Sequence, residues 1–312
     1  MKRIVLAVML VTLVLGSAVA APKKLVVGFS QIGAESGWRD AETASVKATA
    51  AARGIDLKFS DAQGKQENQI KAIKSFIAQK VGGIILAPVV ETGWESVLME
   101  AKKAGIPVVL VDRGIKVTDP SLYTTLISSD FIYEGQKAAE WLAKATNGKA
   151  TIVELQGTTG ASAATDRKKG FEQGIAKFPN MKVIKSQTGD FNRAGGKQVM
   201  EAFLKSDGDK ITAVYAHNDD MALGAIQAIE EYGKKPGKDI LVVSIDGVKS
   251  AFEAMVAGKL NVTIECNPLL GPLAFDSIAR AIAGETLPKW IQQVDNVFPM
   301  EVAADTIGSR LY

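Results

Sequence analysis

The sequence predicts an α/β protein made of two doubly wound domains with parallel sheets. Short apolar runs typical of buried strands alternate with amphipathic helical patterns along almost the whole chain. This alternation gives about ten strand–helix units, which is too many for one sheet of ordinary width. One run, Pro107–Val111, is apolar throughout, as expected for a strand buried on both faces, and it stops abruptly at Asp112 and Arg113. Because ligands of open α/β sheets bind at the carboxyl ends of strands, these two residues are the first candidates for a ligand site; a surface ion pair is the alternative.

The first twenty residues form a separate unit. Lys2 and Arg3 precede an apolar stretch, Ile4–Leu15, and small residues follow at Ala18–Ala20. This order is typical of a cleaved secretory signal peptide covering residues 1–20. An uncleaved anchor is the alternative, although the apolar stretch is short for a membrane span.

Composition argues against several functional classes. Removal of residues 1–20 takes away two positive charges and lowers the formal net charge from +3 to +1, so a nucleic-acid partner has no electrostatic support. The single cysteine, Cys266, cannot form an internal disulfide. The single histidine, His217, makes a histidine-based metal site or a Ser-His-Asp triad difficult to build. We therefore expect no cofactor, no metal and no nucleic acid.

In the first half of the mature chain, apolar runs and helical spacing define five strands and three helices. The alanines of the first helix recur at helical spacing before a stop at Gly54. The predicted strands are Leu25–Ser30, Ile55–Ser60, Gly83–Ala87, Pro107–Val111 and Tyr123–Ile127. The predicted helices are Trp38–Arg53, Glu67–Val81 and Thr92–Lys103.

The same pattern starts again after residue 130. The predicted strands are Ala150–Leu155, Lys182–Ser186, Ile211–Ala216, Ile240–Ile245 and Val262–Glu265. The predicted helices are Phe131–Thr146, Thr165–Phe178, Arg193–Lys205, Asp220–Tyr232, Ala251–Ala257 and Pro272–Ala283. We expect the chain to pass between domains near residues 127–130 and 265–267, which gives an N-terminal lobe of residues 21–129 plus 266–292 and a C-terminal lobe of residues 130–265 plus 293–312.

Other predicted strands also end in polar or aromatic side chains. The loop after the first strand leads into Trp38 and Arg39, where the indole either covers its own loop or offers a flat face to a ligand. Arg167 is expected in the first turn of a helix, where a cation is unfavourable unless a ligand or solvent explains it. Asn218 and Asp246 follow two further strands; Asp246 with the next glycine is also compatible with a plain turn.

Neighbours of these residues have a more ordinary interpretation. His217 fits a packed or capping residue better than a catalyst, and Asp219 or Asp220 is expected to cap the next helix.

Together the strand-end side chains suit a sugar, whose hydroxyls must each give and receive hydrogen bonds and whose C–H face an indole can cover.

The order of motifs resembles the periplasmic sugar-binding proteins of ABC importers, in the ribose- and galactose-binding group. The resemblance covers essentially the whole mature chain and is closest to the galactofuranose-binding branch. The motifs that carry it are Val27–Ser30, Glu35–Arg39, Ala87–Glu95, Val111–Arg113, Glu154–Gly157, Thr165–Phe171, Gly189–Arg193, Asn218–Ala225 and Asp246–Gly247.

The resemblance implies two lobes joined by a three-strand hinge, the type I fold of periplasmic binding proteins. It also implies a set of ligand-binding residues at the matching positions. These are Glu35, Trp38, Arg39, Asp112, Arg113, Arg167, Phe191, Asn218 and Asp246. Cys266, beside Glu265, stands where ribose binders have a glutamine, so the sequence does not assign that contact.

We therefore expect a periplasmic, monomeric substrate-binding protein that binds a monosaccharide, galactofuranose, and delivers it to the permease subunits of an ABC transporter. Alternatives are a binder of another pentose or hexose, and a sugar-sensing ligand protein for a membrane receptor. A repressor core would need a DNA-binding helix pair where the signal peptide stands. An enzyme is not expected, because Asp219 and Asp220 are adjacent at a helix start and diverge in direction.

Overall fold

The computed structural model describes residues 24–312, so the predicted signal peptide lies outside the described residues. Two six-stranded sheets, each flanked by helices, confirm the predicted fold class. In the described part of the chain, no helix is long and apolar enough to cross a membrane.

The first sheet has the order β2-β1-β3-β4-β5-β11, and all of its strands are parallel. Its strands are β1 Val26–Gln31, β2 Asp56–Asp61, β3 Gly83–Leu86, β4 Val108–Val111, β5 Thr125–Ser128 and β11 Trp290–Gln292. The helices of this lobe are α1 Gly37–Ala52, α2 Gln66–Ala78, α3 Glu95–Lys103 and α9 Gly271–Ile282.

The second sheet repeats this arrangement with the order β7-β6-β8-β9-β10-β12, and only β12 is antiparallel to its neighbour. Its strands are β6 Lys149–Gln156, β7 Asn180–Thr188, β8 Ala213–Ala216, β9 Leu241–Asp246, β10 Val262–Glu265 and β12 Val297–Pro299. The helices of this lobe are α4 Phe131–Ala145, α5 Ser162–Ile175, α6 Arg193–Asp207, α7 Asp219–Glu231, α8 Lys249–Val256 and α10 Ala303–Thr306.

Three local expectations were wrong. Helix α5 begins at Ser162, so Arg167 lies in its second turn rather than its first, and the argument from the helix dipole does not apply. Asn218 caps α7 by accepting from the Met221 amide, a role expected of Asp219 or Asp220. The three-residue strands β11 and β12 were missed because they are too short to show an alternating pattern.

The chain passes between the sheets three times, after β5, after β10 and between β11 and β12. The crossing segments lie side by side, since Ser129 Oγ lies 2.9 Å from Asp295 Oδ1 and the Glu265 amide donates to the Asn296 carbonyl at 2.7 Å. The carboxyl ends of both sheets consequently face each other across one cleft.

Helices α4 and α5 pack with their backbones in contact at a glycine. A Cβ added to Gly135 would lie 2.3 Å from the carbonyl oxygen of Arg167 and 2.7 Å from the amide of Phe171. This close approach fixes the height of α5 above the sheet, and with it the position of Arg167.

We predict that Gly135→Ala lowers the free energy of unfolding by about 1–3 kcal/mol, because the added methyl group forces the two backbones apart. Chemical denaturation followed by circular dichroism measures the change. Gly308→Ala is the control, since an added Cβ there meets no atom within 4 Å. Equal stabilities of the two variants would contradict the proposed tight contact.

The end of β6 carries a buried carboxylate, Glu154. Its partners are His217 Nε2 at 3.0 Å, Lys168 Nζ at 2.9 Å and the Ser186 hydroxyl. Burial raises the pKa of Glu154, but its hydrogen bonds and charged neighbours outweigh burial and lower the pKa to about 2. The pKa of His217 is also lowered, in this case by burial. One ring nitrogen of His217 contacts Glu154, and the other accepts a hydrogen bond from the Gly157 amide.

Because the folded pKa of Glu154 lies below its unfolded value, the unfolded state binds more protons and stability falls as the pH falls. We predict that this group alone removes up to about 2 kcal/mol of stability between pH 5 and pH 3. Urea titrations at both pH values should show a smaller acid loss in Glu154→Gln than in the wild type. Identical losses would show that Glu154 does not contribute to the acid sensitivity.

Candidate functional site

A small cavity lies between the carboxyl ends of the two sheets. It is lined by Glu35, Ser36, Trp38, Arg39, Asp112, Arg113, Ala163, Arg167, Phe191, Asn218, Asp246 and Cys266. All nine residues predicted from the sequence are therefore brought together in one place. Their contact with a ligand stays a prediction.

Arg39 organises the wall formed by the first lobe. Its guanidinium contacts Glu35 Oε1 at 3.0 Å, Glu42 Oε2 at 2.5 Å and Asp112 Oδ2 at 2.6 Å. Burial lowers the pKa of Arg39, but the surrounding carboxylates outweigh it and raise the pKa well above the ordinary value. All three nitrogens of this side chain are thus engaged by the protein, and Arg39 holds the wall in shape.

Arg113, one residue beyond Asp112, is less well satisfied. Its Nη1 donates to the Val89 carbonyl at 3.3 Å, whereas its distances to the Asp112 and Glu35 carboxylates are 3.5 and 3.7 Å. Within residues 24–312, its Nε has no hydrogen-bond partner, although the residue is only 2% exposed. Burial and the neighbouring Arg39 lower its pKa. A buried cation with unused donors needs acceptors from a ligand or from water.

The second lobe contributes a matching wall around Arg167. Its Nε donates to Glu134 at 2.7 Å, its Nη1 donates to the His217 carbonyl at 2.7 Å, and its Nη2 lies 3.6 Å from Asp246 Oδ1. Burial raises the pKa of Asp246 well above its ordinary value. The Asp246 carboxyl can accept a hydrogen bond from a ligand hydroxyl.

Aromatic rings fill the remaining walls of the cavity. Trp38 is tied to the hinge, because its indole nitrogen donates to the Cys266 carbonyl at 2.5 Å. The ring of Phe191 lies 4.9 Å from the Arg113 guanidinium, although the two residues come from opposite lobes. Asn218 holds the Phe191 backbone by donating to its carbonyl at 3.0 Å. The two rings are thus placed by the hinge and by both lobes.

Three lining residues have unusual backbone conformations. Asp112, Phe191 and Asp246 have φ values of 63°, 59° and 128°, a region that residues other than glycine rarely occupy. Such conformations persist only where the surroundings impose them, and they concentrate at functional sites.

The Asp246 turn is held by a residue that the sequence did not indicate. Arg310 donates to the Gly247 carbonyl at 3.0 Å and to Glu265 at 2.8 Å, and its guanidinium lies about 5 Å from the rings of Phe252 and Phe298. Arg310 thereby connects the turn that carries Asp246 to the hinge.

Sequence reasoning also missed the carboxylates behind the wall. Glu42 and Glu134 are fully buried, and each has one oxygen without a partner among the described residues. The sequence could have indicated Glu42, because it lies three residues after Arg39 on the same helix. It could not have indicated Glu134, because its partner Arg167 is 33 residues away. Asp219 and Asp220 do not line the cavity, and burial keeps the Cys266 thiol neutral by raising its pKa.

The buried cations of the cavity have carboxyl partners within the protein. Three guanidinium groups are surrounded by five carboxyl groups, and burial raises the pKa of Glu42, Glu134 and Asp246. A charged ligand would need a further buried partner, whereas a neutral ligand with many hydroxyls would satisfy the unused donors and acceptors. Among residues 24–312, no cluster of side chains suited to a metal ion is found.

Comparisons with known proteins all point to one family. A model of the periplasmic binding protein domain matches residues 27–286. The galactofuranose-binding protein YtfQ of Escherichia coli K12 is 56% identical over 275 residues, which cover 87% of this chain and 86% of the relative. The ribose import binding protein RbsB of Bacillus subtilis 168 is 35% identical over 240 residues, covering 77% and 75%.

A solved structure has the same two-lobed fold. The periplasmic binding protein of the arabinose ABC transporter from Shewanella sp. ANA-3, bound to α- and β-L-arabinofuranose, superposes with a TM-score of 0.90 and 57% identity over 92% of this chain and 95% of that one. The chain therefore belongs to the periplasmic binding protein family, in the group of the galactofuranose- and ribose-binding relatives that its motifs indicated.

Proposed function

We propose that this protein is the periplasmic substrate-binding protein of a carbohydrate ABC transporter, and that it closes its two lobes around a monosaccharide in the furanose form. The observation that carries the proposal is the buried cavity of paired arginines and carboxyl groups with unused hydrogen-bonding atoms on Arg113 and Glu35. Relatives named for galactofuranose and arabinofuranose support the choice of sugar.

The affinity that such a site needs is within reach of a single sugar ring. A hexose has about 12 non-hydrogen atoms, so micromolar affinity requires roughly −0.7 kcal/mol per atom, which is within the range for small ligands. Walls from both lobes mean that a ligand gains most of its contacts only after closure. A ligand with better contacts in the closed conformation shifts the equilibrium towards it.

A binding role accounts for the acidic residues better than a catalytic one. Asp219 is used within the second lobe by Ser244, Thr263 and the Val248 amide, and Asp220 is used by Arg193 and by an amide of the first lobe. The carboxylates of the cavity are held by arginines. We infer that the protein releases its sugar unchanged.

We further propose that residues 1–20 are cleaved during export, that the mature protein is a monomer in the periplasm, and that it passes its sugar to the permease subunits of the transporter. The small net charge and the buried hydrogen-bonding cavity fit this role. Delivery to a membrane sensor would use the same site.

We predict that Arg113→Ala weakens sugar binding by at least about 100-fold, because it removes a buried, charged donor that the protein itself leaves partly unpaired. Isothermal titration calorimetry of the mature protein measures the affinity. Arg280→Ala, an exposed cation on α9 that pairs with Glu285, is the control. Near-wild-type affinity of Arg113→Ala would remove Arg113 from the site.

We predict that tryptophan fluorescence changes saturably with galactose and with L-arabinose, since Trp38 lines the cavity. If only the furanose form binds, the apparent dissociation constant exceeds the intrinsic one by the inverse of the furanose fraction, as for any minor binding-competent form. A conformationally fixed galactofuranose should then bind far more tightly than galactose. Tighter binding of ribose or glucose would instead change the assigned sugar.

A further inference from the structure

Two side chains of the second lobe reach the first lobe outside the cavity. Asp220 Oδ2 accepts a hydrogen bond from the Gly37 amide at 2.9 Å, and Ser162 Oγ accepts one from the Gly114 amide at 2.9 Å. Neither Asp220 nor Ser162 lines the cavity. Both contacts join residues of different lobes, so they form only when the lobes are together.

Asp220 completes the N-terminus of a helix that belongs to the other lobe. The first amides of a helix have no partner within it. Ser36 satisfies the Arg39 amide of α1, and Asp220 satisfies the Gly37 amide of the same turn. A carboxylate at this end also interacts favourably with the helix dipole. Arg193 contacts the other oxygen of Asp220 at 3.1 Å and so orients it towards Gly37.

Ser162 makes an equivalent contact on the other side of the cleft. It is the first residue of α5, and its hydroxyl binds the amide next to Arg113. A third contact lies close by, since the Glu91 amide donates to the Gly160 carbonyl at 2.9 Å. The contacts therefore flank the cavity, one residue away from Trp38 and from Arg113.

We propose that Asp220 and Ser162 form an interlobe latch, which stabilises the closed conformation and sets the affinity for sugar without contacting it. This inference rests on the proposed function. In the open conformation the Gly37 and Gly114 amides bind water instead, so each latch bond adds only the difference between the two states. That difference corresponds to about a threefold to tenfold change in affinity per bond.

The latch makes a prediction that a sugar contact does not. Because Asp220→Ala and Ser162→Ala act on closure alone, each should weaken D-galactose and L-arabinose by the same factor, about threefold to tenfold. The change should lie in the dissociation rate, because the initial encounter with the open protein is unaffected. Stopped-flow tryptophan fluorescence measures both rates, and small-angle X-ray scattering at saturating sugar should give the wild-type radius of gyration.

Asp207→Ala and Ser206→Ala are matched controls, since both residues lie at the end of α6. Asp207 contacts Lys185, Lys210 and Ser206, and Ser206 also contacts its own helix. They should leave both rates unchanged. Wild-type dissociation rates in Asp220→Ala and Ser162→Ala would overturn the latch, and so would unequal factors for the two sugars, which indicate direct contact. If the wild type binds neither these two sugars nor ribose nor glucose, the proposed function itself fails and the latch fails with it.

Discussion

The buried pairing of arginines with carboxylates is the constraint on which the rest of the structure depends. Removing a charged group from water costs several kcal/mol unless partners surround it, and Arg39, Arg113 and Arg167 are each at most 3% exposed. Glu35, Glu42 and Asp112 surround Arg39, and Glu134 holds Arg167. The fold must therefore place α1, α4, β4 and α5 so that these groups meet. Arg113 is the exception, and its incomplete pairing leaves hydrogen-bonding capacity for a neutral ligand.

The cavity is complete only when the two lobes are closed. Arg113 belongs to the first lobe, yet its guanidinium lies over Phe191 of the second, and Trp38 is bound to the hinge carbonyl of Cys266. Separation of the lobes would expose the arginines to water and remove the walls that define the cavity. A sugar therefore binds well only to the closed arrangement, and the difference in contacts between the two states supplies the free energy for closure.

Much of the fold was predictable because strand and helix periodicity is a local signal. The same holds for Asp112, Arg113 and Asp246, which directly follow apolar runs. The resemblance, rather than the pattern, indicated Glu35 and Phe191. Contacts between residues far apart in the sequence could not be predicted. Asp219 and Asp220 are adjacent and look alike, yet the first is buried against Ser244 and Thr263 and the second crosses to Gly37, 183 residues away. The positive φ values of Asp112 and Asp246 are likewise imposed by their surroundings, not by residue type.

Specificity and closure reside in separate sets of contacts. The proposed sugar site is the cavity, so we expect changes there to alter which sugar is preferred. The contacts of the latch, from Asp220 to Gly37 and from Ser162 to Gly114, each join a side chain of the second lobe to a backbone amide of the first. Affinity can consequently be adjusted at the latch without altering the preferred sugar, and the preferred sugar can change in the cavity without loss of closure.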